Sequence, residues 1–114
     1  MKHTFSQEAF ERPQRTIEAV EVVRQHAEMI ADACAAAHDQ EIVVAVVGPD
    51  HTWGGVSTVP AHGLPEQAID PGSRWEFMFV AHTSRAEVEA RCTLIERQAA
   101  KRLDALRRWS ERQE

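Results

Sequence analysis

Residues 42–60 read IVVAVVGPDHTWGGVSTVP, and the way this run divides decides the fold. Ile42 to Val47 is continuously apolar and mostly β-branched, and it is too short for a helix. Such a run belongs to a central strand covered on both faces. Gly54-Gly55 then precedes Val56-Ser57-Thr58-Val59, which Pro60 closes, the pattern of a hairpin's second strand at or near a sheet edge. All five glycines and four of the five prolines of the chain fall between Gly48 and Gly72, so this region is rich in turns and the flanks are not.

Downstream of that region, Trp75 to His82 predicts a third strand. Trp75, Phe77, Phe79 and Ala81 share one face, and Glu76, Met78, Val80 and His82 share the other. Both faces are largely apolar, so both are expected to be covered. Ser84-Arg85-Ala86-Glu87 fits a capping box, and it opens a second long helix over 84–112. Val88, Cys92, Ile95, Ala99, Leu106 and Trp109 follow its four-three spacing, with Leu103 beside the stripe.

Upstream, a first long helix is predicted over about 7–39. Its start lies between Ser6, a suitable cap, and Pro13, which suits a first turn and would kink an interior. Ile17, Val20, Val23, Ala27, Ile30, Cys34 and Ala37 recur at steps of three and four and line one face. The expectation is an α+β fold, a single domain over 1–114 of order α-β-β-β-α, with a small antiparallel three-stranded sheet packed with two long helices.

At 114 residues and 43% hydrophobic content the chain can build one core without metal or disulfide staples. Its net charge of −5 argues against a protein that coats nucleic acid or anionic lipid non-specifically. No apolar run reaches membrane-span length and the N-terminus is polar, so a cytoplasmic protein with no membrane partner is expected. The absence of Asn and Tyr and the preference for Arg over Lys fit GC-rich coding, as in a bacterium or its phage. Cys34 and Cys92 both fall on apolar helix faces and read as small core residues.

Helix length carries an expectation about assembly. A helix of about 28 residues is about 42 Å long, whereas a compact chain of this size is about 34 Å across. The overhang would expose Leu106 and Trp109, which a second copy would cover in a homodimer or higher homo-oligomer. Charge suggests a pairing of the helices: eight acidic residues lie between Glu8 and Glu41, and six basic ones lie between Arg97 and Arg112.

Chemical motifs are sparse. The six histidines lack the short-range spacing of a zinc site. His82-Thr83-Ser84 has the form of one half of the paired histidine and hydroxyl motif of two-histidine phosphoesterases, but His51-Thr52-Trp53 carries its hydroxyl at the wrong offset. Gly48-Pro49 is not a phosphate loop, and Ser57 and Thr58 lack a nucleophile elbow. No catalytic residue, metal or cofactor is therefore assigned, and the chain is read as leaning away from an enzyme.

A binding surface is the better-supported expectation. His51, Trp53, His62, Arg74, Trp75 and His82 form the candidate set, because loops on rigid supports carry binding groups and tryptophan dominates interface energy. The expected function is a non-catalytic interaction protein that binds a macromolecular partner through the 48–75 loop, such as a phage or mobile-element inhibitor of a host factor. The competing reading is a small-ligand or nucleotide-binding protein, with a phosphoesterase as one form, using His51, His62, Arg74 and His82 across a dimer cleft. Nucleic-acid binding by the stripe Arg97, Lys101, Arg108 and Arg112 ranks last, since Asp104 interrupts it and the acidic first helix offers it a partner.

Overall fold

The computed structural model describes residues 7–61 and 74–112. Strand β1, Glu41–Val47, lies in the middle of a three-stranded sheet, with β2, Trp53–Pro60, and β3, Trp75–Val80, on either side. Both pairings are antiparallel. Three helices complete the fold: α1, Gln7–Gln25, α2, Ala27–Ala36, and α3, Arg85–Arg112. The protein is thus a small α+β domain, as its apolar patterning implies.

All three helices contribute to the core on one face of the sheet. Val43, Ala45 and Val47 of β1 and Phe77 and Phe79 of β3 share a buried cluster with Val20 and Val23 of α1, Ile30 and Cys34 of α2, and Val88 and Cys92 of α3. Alternation along the strands explains the division, because successive side chains leave a strand on opposite faces. On the other face Val44 is buried yet stands apart from this cluster. There, Met78 is 46% exposed and Val80 is 67% exposed, so the even face of β3 lacks the cover expected from its sequence.

The single first helix predicted over 7–39 is two helices, broken at His26 and finished at Ala36. His26 has φ −112° and ψ 20°, and its backbone N–H bonds to Val23 O at 3.0 Å instead of continuing the α-helical pattern to Val22. The orphaned Val22 carbonyl is satisfied by the His26 ring, whose Nδ1 lies 2.9 Å away and donates to it. No glycine or proline marks this break. The proline that does lie in the helix, Pro13, is accommodated inside α1 with its ring buried.

Helix α3 runs antiparallel to α1 and α2. Arg24 Nη2 meets Glu96 Oε2 at 2.7 Å, and Glu28 Oε2 meets Arg85 Nη1 at 3.9 Å, so rising numbers on one side match falling numbers on the other. The two long helices outrun the sheet: the molecule measures 54 × 28 × 23 Å, and its radius of gyration of 16.3 Å exceeds the value of about 13 Å for a compact chain this long. Yet Ala99 and Leu103 are buried within the one chain, beside α1. Leu106 and Trp109, whose expected exposure prompted the expectation of a second copy, are half-buried within the one chain. Among the described residues, no helix is long and apolar enough to cross a membrane.

The start of α3 follows its sequence closely. Ser84 Oγ accepts from the Glu87 N–H at 3.2 Å and donates to Glu87 Oε1 at 3.0 Å, which is one half of a capping box with the carboxylate turned to the hydroxyl. The helix thus starts where the box predicts. The third strand stops at Val80, because Ala81 and His82 turn to meet it.

The sheet carries one irregularity with large consequences. Val46 pairs with Gly55 but Val47 pairs with Trp53, which leaves Gly54 as the extra residue of a β-bulge. The two glycines are therefore inside β2, not ahead of it. Gly55 sits at φ +109°, and a Cβ on Gly54 would lie 3.0 Å from the Val46 carbonyl oxygen. Gly55→Ala is expected to lower stability by about 1–2 kcal/mol, read from the urea midpoint, since a Cβ is disfavoured at that φ by about this amount.

Candidate functional site

The bulge determines which face receives Trp53. Without the extra residue Gly54 would oppose Val47, and Trp53 would be shifted onto the other face of the sheet. With it, Trp53 and Trp75 both pair with Val47, so the row Trp53, Val47, Trp75 crosses the sheet on the helix-covered face. Both tryptophans are half-buried and pack against the core.

Each tryptophan is held by a histidine. The His26 ring stacks on Trp53 at 4.1 Å between centroids and 6° between planes. That ring is the one whose Nδ1 closes the helix break, so a single side chain joins the kink between α1 and α2 to the bulged strand. The His51 ring stacks on Trp75 at 5.3 Å and 25°. Offset ring pairs of this kind contribute about 0.5–1.5 kcal/mol beyond the area they bury.

His51 reaches Trp75 through an unusual backbone. Gly48 O accepts from the His51 N–H at 3.0 Å, and Gly48 N–H donates to Thr52 O at 2.8 Å. His51 itself has φ 60°. These bonds describe a three-residue hairpin loop, Pro49-Asp50-His51, in which a turn is followed by one left-handed residue. Glycine is the usual occupant of that position. Histidine there sends its ring toward α1, where Nε2 is enclosed and lies 3.4 Å from Glu18 Oε2, without an aligned hydrogen bond.

The candidate set assembled from sequence divides into two groups. His51, Trp53, Arg74 and Trp75 gather at the Val47 end of the sheet. His82 lies at the opposite end, beyond the Ile42–Val80 pair. Five residues of strand separate those ends, or about 17 Å, so one small ligand cannot touch both His51 and His82 within one chain. His62 lies outside the described residues. Arg74 pairs with Glu76 at 3.2 Å, which makes it a strand-end charge, whereas Arg91 lies over an aromatic ring, 5.7 Å from the Phe79 centroid.

His82 has a structural task of its own. It too is left-handed, at φ 67°, and its N–H bonds to Cys34 O at 2.9 Å while Nε2 meets Asp39 Oδ1 at 2.8 Å. The turn into α3 is thereby fastened to the end of α2. Sequence reasoning missed His26 and Glu18, which complete the Val47 end. Neither carries a local signal, since one is a histidine beside an apolar helix stripe and the other a solvent-facing glutamate.

No cluster of three or more histidine, cysteine or acidic side chains with metal-binding geometry occurs among the described residues. The two thiols, both free, are sealed in the core, and burial pushes each above its ordinary range. Hydrogen bonding with Thr83 opposes that shift at Cys34, and the positive field of Arg24 opposes it at Cys92. Comparison with protein-family models, with curated proteins and with solved structures finds no match to this chain.

Two expectations test this description. Trp53→Ala is expected to cost about 2–4 kcal/mol in urea unfolding, in the range for large-to-small changes in a packed site; a loss below about 0.5 kcal/mol, typical of surface positions, would make Trp53 a freely exposed anchor. The thiols give a pH dependence. As pH rises through the ordinary thiol range the unfolded chain loses protons first, because the folded values are raised, so stability present at neutral pH falls toward pH 10. The chain has no tyrosine and only Lys2 and Lys101 as lysines, so the double variant Cys34→Ala, Cys92→Ala should flatten that alkaline fall, whatever its stability at neutral pH.

Proposed function

We propose that this protein is a non-catalytic interaction module that binds a macromolecular partner with the Val47 end of its sheet. The contact would be made by the described parts of the 48–75 segment, with Asp50, Thr52 and Arg74 as its exposed groups. We place it in the cytoplasm of a bacterium, with inhibition of a host factor by a phage or mobile-element protein as the proposed form of activity; its composition bears on the origin alone.

One observation carries this reading. The hairpin tip stands on two ring stacks, His26 on Trp53 and His51 on Trp75, which fix the loop before any partner arrives. Ordering mobile side chains at an interface costs about 0.5–1.5 kcal/mol each, and a preformed tip avoids much of that cost. Left-handed backbone at a non-glycine residue is also costly, and such residues concentrate where a particular shape is needed. His51 is of this kind.

Trp53 is a poor probe of the proposal, because its loss would damage the core. The discriminating variants are therefore on the exposed tip. A photo-crosslinker at position 50 should yield a discrete protein adduct in bacterial extract, and Arg74→Glu should abolish it without moving the urea midpoint. A smear without a discrete band, together with a melting temperature raised by several degrees by a nucleotide, would reverse the reading in favour of a small-ligand site.

A further inference from the structure

We infer that the distal half of α3 is a second docking surface, made for the phosphate backbone of double-stranded nucleic acid. Residues 97–112 hold six basic side chains, Arg97, Lys101, Arg102, Arg107, Arg108 and Arg112, against Asp104 and Glu111, in a chain whose net charge is −5. All six cations are exposed. The remainder of the chain carries the whole of the negative excess.

The structure changes the meaning of this cluster. From sequence, the acidic first helix is available to neutralise it. In the fold, the ion pair that joins α1 to α3 has the opposite sense, with Arg24 on α1 and Glu96 on α3. The antiparallel arrangement sets residues 8–23 of α1 alongside 97–112, with Glu8, Glu11, Glu18 and Glu21 against Arg12 and Arg15. Yet Glu18 turns to His51 and Glu21 to Arg24, and among the described residues no ion pair ties an α1 carboxylate to a cation of 97–112.

Pairing is sparser there than elsewhere. Outside 97–112, Arg24, Arg74 and Arg85 each meet a carboxylate and Arg12, Arg15 and Arg91 meet none among the described residues. Among the described residues Arg97, Lys101, Arg102, Arg107 and Arg112 meet none, and Arg108 is paired with Asp104. Cations in the last helical turn would be explained by the helix dipole alone, but that effect fades within a turn and does not reach Arg97, Lys101 or Arg102.

Arg97, Lys101, Arg108 and Arg112 lie on one side of the helix, away from buried Ala99 and Leu103, over a length of about 22 Å at 1.5 Å per residue. No large apolar side chain is exposed between residues 97 and 112. Protein interfaces draw their energy from buried aromatic and aliphatic anchors, and this surface offers none. Asp104 lies in the same row and holds Arg108, while Arg97, Lys101 and Arg112 stay unpaired. An extended row of exposed cations, mostly arginines whose forks fit phosphate oxygens, suits a repeating polyanion. The acidic body does not cancel its field, since salt screens charges beyond about 8 Å at physiological ionic strength.

Fluorescence anisotropy with a labelled 25-base-pair duplex tests this surface. Four phosphate contacts predict binding that weakens about 100-fold between 50 and 200 mM salt. Arg97→Gln, Lys101→Gln and Arg112→Gln should each lower the salt slope by about one, and the triple variant should abolish binding. Arg85→Gln, on the body, should leave it intact, and all four positions are exposed, so unchanged urea midpoints are expected. Absence of binding at 50 mM salt would overturn the inference, as would a triple variant that binds like the parent. Displacement of the duplex by polyglutamate at equal charge would also overturn it, by showing a surface for acidic protein.

Discussion

The position of Trp53 is the constraint on which the rest of this structure depends. Between the helices and the sheet the chain must fill the space over Val47, and it does so with two tryptophans brought in from the edge strands. One arrives because β3 is in regular register. The other arrives because Gly54 adds a residue to β2, which turns the following ladder by one step and Trp53 onto the covered face. A larger residue at Gly54 would press on the Val46 carbonyl, so the bulge and the identity of the residue are tied together.

From that placement the helix break acquires its reason. A continuous helix over residues 7–36 would keep His26 in the backbone ladder. Instead, the ring of His26 takes the place of its own amide at Val22 and lies flat on Trp53. The kink thus loses no hydrogen bond at that carbonyl, and it gains a stacking surface. His51 closes the same end of the sheet from the hairpin side, at the expense of a left-handed backbone.

Charge and shape are organised along the long axis of the molecule. Arg24, Arg74 and Arg85 meet carboxylates, while five of the six cations between residues 97 and 112 meet none among the described residues and Arg108 is held by Asp104. Because the apolar stripe of α3 finds α1 within the same chain, the long helix needs no second copy to bury Ala99 and Leu103. Its polar face remains available along its length. A protein built this way presents two unlike surfaces, a preformed polar and aromatic tip and a basic helical stripe.

The sequence by itself determined the elements whose signals are local: the β-branched run of β1, the edge character of a strand closed by Pro60, the Ser84 cap and the amphipathic stripes that bury Val20, Val23, Ile30, Val88 and Cys92. Those signals are properties of neighbouring residues, and periodicity exposes them. Only the tertiary structure decided the break at His26, the face occupied by Trp53, the separation of His82 from His51 and the cover over Leu103. Each depends on a partner far away in the chain, a ring to stack on, a carbonyl to approach or a helix to lie beside, and no spacing within a single segment encodes which of these it will meet.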